Sequence, residues 1–351
     1  MKRLTIFISV LTAVSFAQDS GPNKVLQKAR VGGDGRFDYV YADSEGRKLY
    51  VPRIVADSSR VSVYDLDSLK LVAEIPHVNA RGVAVDPKSG HGFASSKPVT
   101  MFDTKTSAVI KTIDVEGGPD GILFDPFNER VWVFSHRAPN ATIIDAKDGS
   151  VVGTLDLGGA PEQAASDGKG HMWIDLEDKD SIAAVDTKAL KVTATYGLEG
   201  KGGGPGGLAF DAKNRVLFAS CHNPATMVIL SADTGKILDT LPIGMGTDGA
   251  TFNPATMEAF SSNGDGTLTV IKDDGGKKFT VEQNVATMRG AKTLTLDSKT
   301  NRILMIAAEM QPAPAPAPAP AAAPKGDQKG GGRGRGIMVP GSFTIVVVGT
   351  K

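Results

Sequence analysis

Short apolar runs recur at a near-constant spacing along the whole chain. Seven of them end in an aspartate or an asparagine: YVYAD, GVAVD, GILFD, QAASD, GLAFD, GATFN and TLTLD. The final residues of these runs are Asp43, Asp86, Asp125, Asp167, Asp211, Asn253 and Asp297. The steps between them are 39 to 44 residues long. Runs of this length bounded by turn residues predict β-strands, and the period matches the roughly 40 to 45 residues of a four-stranded propeller blade.

Three further strands are predicted between one run and the next. In the third repeat the turn DPFNER follows the first strand, and VWVFS, TIIDA and VVGTLDL are the second, third and fourth strands. The breaks contain Gly, Pro, Asn and Asp, which favour tight turns. Four strands in each of seven repeats predict an all-β, seven-bladed β-propeller over residues 24–351.

The seventh repeat supplies three strands of its own, KTLTLD, RILMIA and FTIVVV. Residues 24–33, KVLQKARVGG, resemble the fourth strand that precedes every other first strand. We therefore expect the N-terminal strand to pair with residues 343–348. This pairing would close the ring and leave no gap between the first and last blades.

Residues 1–17 are typical of an export signal. Lys2 and Arg3 precede an apolar segment from Leu4 to Phe16, and small residues stand before a cleavage site after Ala17. This segment is shorter than the roughly 20 residues that span a bilayer, and no later segment qualifies. We therefore expect an exported protein, periplasmic or secreted, with no membrane span once the signal is removed.

A low-complexity segment, residues 311–341, interrupts the seventh repeat between its second and third strands. Alternating Ala and Pro are followed by Gly and Arg in PAPAPAPAPAAAPKGDQKGGGRGRG. We expect an extended polyproline spacer joined to a flexible, basic one. Two interpretations are open: a surface insertion without a role, or a basic tether or lid over the mouth of the central channel.

Composition excludes few functional classes. The 39 lysine and arginine residues balance 39 acidic residues, so the chain as a whole is not a basic nucleic-acid binder.

The single cysteine, Cys221, cannot form an internal disulfide. Because neighbours in a strand point to opposite faces, Cys221 beside His222 is interpreted as a buried or loop thiol rather than a nucleophile. Trp132 and Trp173 lie in predicted second strands and are expected in the core.

The repeats carry a family resemblance. The stretch GGPDGILFDPFNERVWVFSHRAPNATIIDAKDGSVVGTLDLGGAPE resembles the YVTN repeats of YncE-like seven-bladed propellers, which are exported bacterial proteins, and the likeness extends over residues 24–351. The resemblance implies the propeller fold and leaves the function open. That superfamily includes nucleic-acid binders, surface-layer proteins, and relatives of electron-transfer and lactone-processing propellers. A nucleic-acid partner is therefore implied by the resemblance alone.

One position in each repeat is expected at the mouth of the channel. In a propeller, the loops from strand four to the next strand one share a face with the loops from strand two to strand three. We call the final Asp or Asn of each of the seven apolar runs its repeat mark. The residues five positions before each repeat mark are Asp38, Arg81, Asp120, Glu162, Gly206, Asp248 and Lys292. Four acids and two bases predict a polar rim. It is either a solvated rim with internal salt bridges or a port for a cation or polar ligand, with Asp120 and Glu162 as the strongest pair.

Loops between second and third strands add further candidates on the same face. They are His136, Arg137, Glu177, Asp178, His222 and Asn223. His77 enters from a neighbouring loop. A zinc or copper site would require His77, His136 and His222 to meet at one ion. Their spacing matches no metal motif, so no cofactor is predicted and a divalent metal remains an alternative.

The predicted function is that of a binding or scaffold protein. It would hold an unidentified small ligand, polymer or protein partner at the loop face of the channel. The alternative is an enzyme that carries out lactone hydrolysis or elimination, with metal assistance as an option. In that case His136, Arg137 and His222 would act with the rim carboxylates as acid, base and electrostatic stabiliser.

Overall fold

Each repeat of the sequence forms one antiparallel sheet. The computed structural model describes residues 20–311 and 337–351. Within these residues the chain forms seven four-stranded sheets and one two-stranded ribbon. The predicted all-β, seven-bladed propeller is therefore confirmed. None of the helical structure in these residues has the length and apolar character of a bilayer-crossing helix.

The strands are numbered in chain order, beginning with β1 (Lys24–Arg30), which belongs to the last blade. Blade 1 contains β2 (Tyr41–Asp43), β3 (Lys48–Arg53), β4 (Arg60–Asp65) and β5 (Leu71–Pro76). Blade 2 contains β6 (Val83–Asp86), β7 (His91–Ala94), β8 (Val99–Asp103) and β9 (Val109–Ile113). Blade 3 contains β10 (Pro119–Asp125), β11 (Arg130–Ser135), β12 (Asn140–Asp145) and β13 (Val151–Asp156).

The remaining blades follow the same order. Blade 4 contains β14 (Pro161–Ser166), β15 (His171–Leu176), a 3₁₀ turn (Glu177–Lys179), β16 (Ser181–Asp186) and β17 (Lys191–Gly197). Blade 5 contains β18 (Pro205–Asp211), β19 (Val216–Cys221), β20 (Thr226–Ser231) and β21 (Ile237–Pro242). Blade 6 contains β22 (Thr247–Asn253), β23 (Glu258–Asn263), β24 (Thr267–Asp274) and β25 (Lys278–Ala286). Blade 7 contains β26 (Leu294–Asp297), β27 (Arg302–Ala307), β30 (Thr344–Gly349) and β1.

The recurring aspartate of each repeat fixes the turn that follows it. Its carboxylate accepts hydrogen bonds from backbone N–H groups two or three residues further on. Asp43 accepts from Gly46 at 2.8 Å, and Asp211 accepts from Lys213 at 2.8 Å. The turns then reach a residue with positive φ, such as Arg215 at +59°. The sequence repeat is thus a turn signal, because Asp and Asn stabilise this geometry through their own side chains.

The ring closes as predicted from the sequence. β1 pairs antiparallel with β30, from Lys24 opposite Gly349 to Arg30 opposite Thr344. β30 also pairs with β27, so the C-terminal strand lies inside the sheet of blade 7. Phe343 in front of β30 is fully buried in the core shared with blade 1. The N- and C-terminal strands therefore lock the first and last blades together.

The base of the predicted insertion is a short ribbon between the second and third strands of blade 7. β28 (Met310–Gln311) pairs with β29 (Ile337–Met338). Glu309 accepts a hydrogen bond from the backbone N–H of Val339 at 2.8 Å. Residues 312–336 of the insertion and the predicted signal, residues 1–17, lie outside the described residues.

The cores lie between neighbouring blades. Trp132 is fully buried, and Trp173 is 2% exposed and donates its indole N–H to the Ala232 carbonyl at 3.0 Å. Cys221 is also fully buried, and this burial raises the pKa of its thiol far above the usual value. The predictions that both tryptophans and the cysteine belong to the core are confirmed.

Candidate functional site

The first strands of the blades bring the rim residues to the inner edge of the ring. Glycines allow these strands to approach closely. A Cβ at Gly121 would lie 2.4 Å from the carbonyl oxygen of Glu162 in the next blade, so only glycine fits there. Tyr39 of blade 1 donates its hydroxyl to Oε2 of Glu162 in blade 4 at 2.7 Å. Because blades 1 and 4 lie on opposite sides of a seven-membered ring, this hydrogen bond crosses the channel.

A second side chain bridges blades below the rim. Gln163 donates from Nε2 to the Ala250 carbonyl at 2.9 Å, and its Oε1 accepts from the backbone N–H groups of Leu208 and Ala250 at 3.1 and 3.0 Å. The residual cavity beside Tyr39 and Gln163 has a volume of about 150 Å³. The channel is therefore narrow beneath the mouth, and the accessible polar groups lie at the rim.

The rim residues of blades 6, 7, 1 and 2 neutralise one another, and we call them the paired arc: Asp38, Arg81, Asp248 and Lys292. Nη1 of Arg81 lies 2.7 Å from Oδ2 of Asp38. Lys292 forms a direct ion pair with Asp248 and approaches Oδ1 of Asp38 at 3.9 Å. Two cations and two carboxylates thus form a closed network that leaves no excess charge.

The rim and loop residues of blades 3 and 4 are mostly acidic, and we call them the carboxylate arc: Asp120, His136, Glu162 and Glu177. Nδ1 of His136 lies 3.1 Å from Oε1 of Glu162, and Nε2 of His136 lies 3.5 Å from Oε2 of Glu177. Within residues 20–311 and 337–351, no lysine or arginine forms an ion pair with either glutamate. Two glutamates therefore share one imidazole.

This crowding shifts the pKa values of the arc. The close contact with Glu162 raises the pKa of His136 to about 9, although burial opposes the charge. Burial also opposes ionisation of Glu162, but His136 and Tyr39 outweigh it and hold the pKa of Glu162 below its usual value. Burial, together with the negative charge of Glu162, raises the pKa of Asp120 to about 7. Near neutral pH, Glu162 is ionised, His136 is protonated and Asp120 is partly protonated.

A buried acid lies next to this arc in the same blade. Asp175, near the end of β15, is fully buried, and neither carboxylate oxygen has a hydrogen-bond partner among the described residues. Burial raises the pKa of Asp175 well above its usual value, and the charge of Glu162 adds to the effect. Burial therefore favours the neutral, protonated form of Asp175.

In blade 5 the rim position is Gly206, which has no side chain, and the imidazole of His222 lies beside it. A Cβ at Gly206 would lie 2.9 Å from Nε2 of His222, so glycine makes room for the imidazole. Nε2 of His222 lies 4.0 Å from Oε1 of Glu177. His222, Glu177 and the exposed Asn223 and Met245 are among the residues that line a surface pocket of about 680 Å³. His222 thus extends the carboxylate arc toward blade 5.

The histidine triad considered for a metal does not form. His77 is exposed in the loop after β5 and is not part of the arc. Among residues 20–311 and 337–351, the one group of three His, Cys, Asp or Glu side chains with ligand atoms within 4.8 Å of one another is His136, Glu162 and Glu177. The triad interpretation was wrong because glutamates, rather than histidines from distant blades, surround His136.

The other loop candidates are spread around the arc. Arg137 is exposed, forms no ion pair with the described part of the chain, and passes over Gly118. Asp178 accepts a hydrogen bond from the backbone N–H of Ala160 at 2.6 Å and pairs with Lys179, which fixes the local turn. Neither residue joins the group around His136.

Sequence reasoning missed the groups that cross the channel. The position four residues before each repeat mark holds glycine in four repeats and a side chain in the other three. The three exceptions are Tyr39, Gln163 and Thr293. Tyr39 and Gln163 make the bridges described above, and Thr293 donates its hydroxyl to the Asp38 carbonyl at 2.7 Å. A comparison of this position across the repeats is the signal that would have identified them.

Comparison with known proteins supports the fold and identifies no family. No family model matches the chain, and no curated protein matches it. A chain in a solved structure described as "Crystal Structure of Mitotic Checkpoint Complex" is similar to this one, with a TM-score of 0.69 and 11% sequence identity. The match covers 87% of this chain and 95% of that chain. At this identity the likeness shows a shared propeller fold alone.

Proposed function

We propose that this protein is a binding propeller that holds a positively charged ligand on the carboxylate arc at the channel mouth. The observation that carries the proposal is the unequal balance of charge around one rim. The paired arc neutralises its own carboxylates with a lysine and an arginine, whereas Glu162 and Glu177 share His136, and among the described residues the only other ion-pair partner of either glutamate is His222, 4.0 Å from Glu177. A bound cation would supply the missing positive charge.

Exposure and depth support binding at the mouth. The side chain of Glu162 is 18% exposed and that of Glu177 is 35% exposed, so both are accessible yet partly desolvated. Partial desolvation strengthens the attraction between a carboxylate and a cation. Because Tyr39 and Gln163 bridge the channel below, the ligand would rest on the rim rather than pass through.

Export and family kinship are part of the same proposal. The signal-like residues 1–17 support export, and the YVTN-like repeats support kinship with YncE-like bacterial propellers. Mass spectrometry of protein recovered outside the cytoplasm would test export. We expect a mature chain that begins at Gln18, and recovery only of the intact chain inside the cell would contradict it.

A binding screen tests the ligand class. Mature, tag-free protein would be titrated with zinc chloride, 1,4-diaminobutane, sodium sulfate and single-stranded DNA by calorimetry and thermal shift. We expect at least one of the two cations to bind, and Glu162→Gln to weaken that binding by about tenfold or more. Binding of sulfate or DNA without binding of either cation would refute the proposal and favour an anionic or nucleic-acid partner.

Acid–base catalysis is a second candidate function, favoured by the pKa values in the arc. Asp120, with a pKa of about 7, and His136, with a pKa of about 9, belong to one electrostatically coupled group that can exchange protons near neutral pH. A panel of lactones would test this candidate. Hydrolysis that is lost in His136→Gln would support it, and rates equal to those without protein would end it.

A further inference from the structure

The geometry points to a divalent transition-metal site formed by His136, Glu162 and Glu177, with zinc as the representative ion. This inference rests on the proposed function and names its ligand class. One ligand atom from each of the three side chains lies within 4.8 Å of the others. Tetrahedral ligands at about 2.1 Å from zinc lie about 3.4 Å apart, so small side-chain rotations suffice to close the site.

The three side chains come from separate segments that the fold holds in place. His136 follows β11, Glu162 is the second residue of β14, and Glu177 begins the 3₁₀ turn after β15. The cluster thus joins the inner edge of one blade to two loops of the same face. A site assembled from rigid strand ends loses little conformational freedom when an ion binds.

Neighbouring groups orient the ligands. The Tyr39 hydroxyl binds Oε2 of Glu162, which leaves Oε1 directed toward His136. Carboxylate ligands of metal ions characteristically accept such hydrogen bonds from neighbouring residues that do not touch the ion themselves. His222 lies on the far side of Glu177, with its Nε2 4.0 Å from Oε1, and is the group best placed to complete the coordination.

The donor set selects the class of ion. One or two imidazoles with two carboxylates suit zinc and its first-row neighbours, whereas calcium and magnesium prefer oxygen ligands throughout. An organic cation cannot form a coordinate bond with the imidazole, whereas a transition-metal ion can. In the absence of metal, one ring nitrogen of His136 faces each glutamate, and binding of an ion to one of these nitrogens would release its proton.

The carboxylates of the site lack the basic partners that the paired arc has. Glu162 and Glu177 lie against histidines and, among the described residues, form no ion pair with a lysine or arginine. In the paired arc, by contrast, each carboxylate lies against a lysine or arginine. An ion held by Glu162 and Glu177 would supply positive charge on the side of the rim where, among the described residues, neither glutamate pairs with a lysine or arginine.

Zinc titration with matched variants tests the site. Tag-free mature protein, stripped with EDTA and dialysed, would be titrated with zinc chloride by calorimetry. We expect one equivalent of zinc to bind, and Glu177→Gln and His136→Gln each to weaken binding by at least about tenfold. Asp248→Asn removes a carboxylate of the paired arc and is the matched control, with an affinity within about threefold of wild type.

The outcomes separate this inference from the proposed function. Thermal melting of each variant in EDTA would show that it folds before any zinc is added. Equal zinc affinity in wild type, Glu177→Gln and His136→Gln would assign the ion to other surface groups and overturn the metal site. Binding of 1,4-diaminobutane without binding of zinc would also overturn it, while the proposed function would stand. Binding of neither cation would refute both.

Discussion

In the paired arc, Arg81 and Lys292 reach the carboxylates of Asp38 and Asp248, whereas in the carboxylate arc two glutamates converge on a single histidine. Asp120 and Glu162 hold the same repeat position as the four members of the paired arc, whereas the loop residues His136 and Glu177 have no equivalent there. The difference shows that position in the blade places a side chain at the rim, and that its neighbours decide whether its charge is already neutralised or available for a ligand.

The two arcs also differ in what supports them. The paired arc contains groups from blades 6, 7, 1 and 2 and includes the joint between blade 7 and blade 1. The carboxylate arc lies across the ring and gains a contact from that side through Tyr39. We therefore expect substitutions in the paired arc to change stability more than binding, and substitutions in the carboxylate arc to change binding more than stability.

Loss of Lys292 should have the largest effect on stability. Lys292→Met leaves Asp248 without its cation and weakens the environment of Asp38. We expect the free energy of unfolding to fall by roughly 1 to 2 kcal/mol at pH 7, after allowance for screening by solvent, because Lys292 lies near two partly buried carboxylates rather than one. Urea unfolding would measure the change. An unchanged midpoint and slope would show that the paired arc is only a solvated set of charges.

Asp120→Asn should raise the free energy of unfolding, in contrast to Lys292→Met, and the size of the gain should depend on pH. Burial and the charges of Glu162 and Asp38 raise the pKa of Asp120 from 3.8 to about 7, against the opposing effects of Arg81 and His136. Its carboxyl group thus favours the folded state less as pH rises from about 4 through 7. We expect the metal-free variant to gain roughly 1 to 2 kcal/mol at pH 8, after allowance for screening by solvent.

The same comparison at acidic pH is the control for Asp120. At pH 4 the carboxyl group of Asp120 is protonated in the folded protein, so wild type and Asp120→Asn should have nearly the same stability. A gain at pH 4 equal to that at pH 8 would attribute the effect to packing rather than to charge.

Tyr39→Phe should weaken the connection across the channel. It removes the donor to Oε2 of Glu162 while keeping the ring. We expect a loss of about 1 kcal/mol in stability and a few-fold loss of zinc affinity, because Glu162 is no longer held in one orientation. Calorimetry and urea unfolding of the same sample would measure both. Unchanged affinity would show that Tyr39 does not orient a ligand.

Arg81→Met should have the smallest effect. The side chain of Arg81 is 46% exposed, and exposed ion pairs contribute little to stability. We expect a change of at most about 0.5 kcal/mol, measured by urea unfolding, and no change in zinc affinity. A loss as large as that of Lys292→Met would show that the two cations of the paired arc act as one unit.

The sequence predicted the fold because its dominant signal is local. A residue that fixes a tight turn, aspartate in six repeats and asparagine in one, alternates with apolar runs and defines four-stranded blades without any long-range information. Ring closure followed from counting strands, since β30 and β1 are the pieces missing from blade 7. The buried positions of Trp132 and Cys221 followed from strand alternation.

The site could be predicted only in part, because contacts across a ring depend on how far its strands converge. Asp120 and Glu162 were placed at the rim from their repeat position. Equivalent positions carry no information about which side chain spans the channel, so the hydrogen bond from Tyr39 to Glu162 was missed. The contact between Glu177 and His136 depends on the shapes of two loops from different blades, which no periodicity encodes.

Anomalous diffraction at the zinc absorption edge tests the central claim most directly. Crystals of tag-free, mature protein would be soaked in zinc chloride after treatment with EDTA. We expect a strong anomalous peak bounded by His136, Glu162 and Glu177, and none at the paired arc. Peaks confined to other surface residues, or a peak between Asp38 and Asp248, would contradict it.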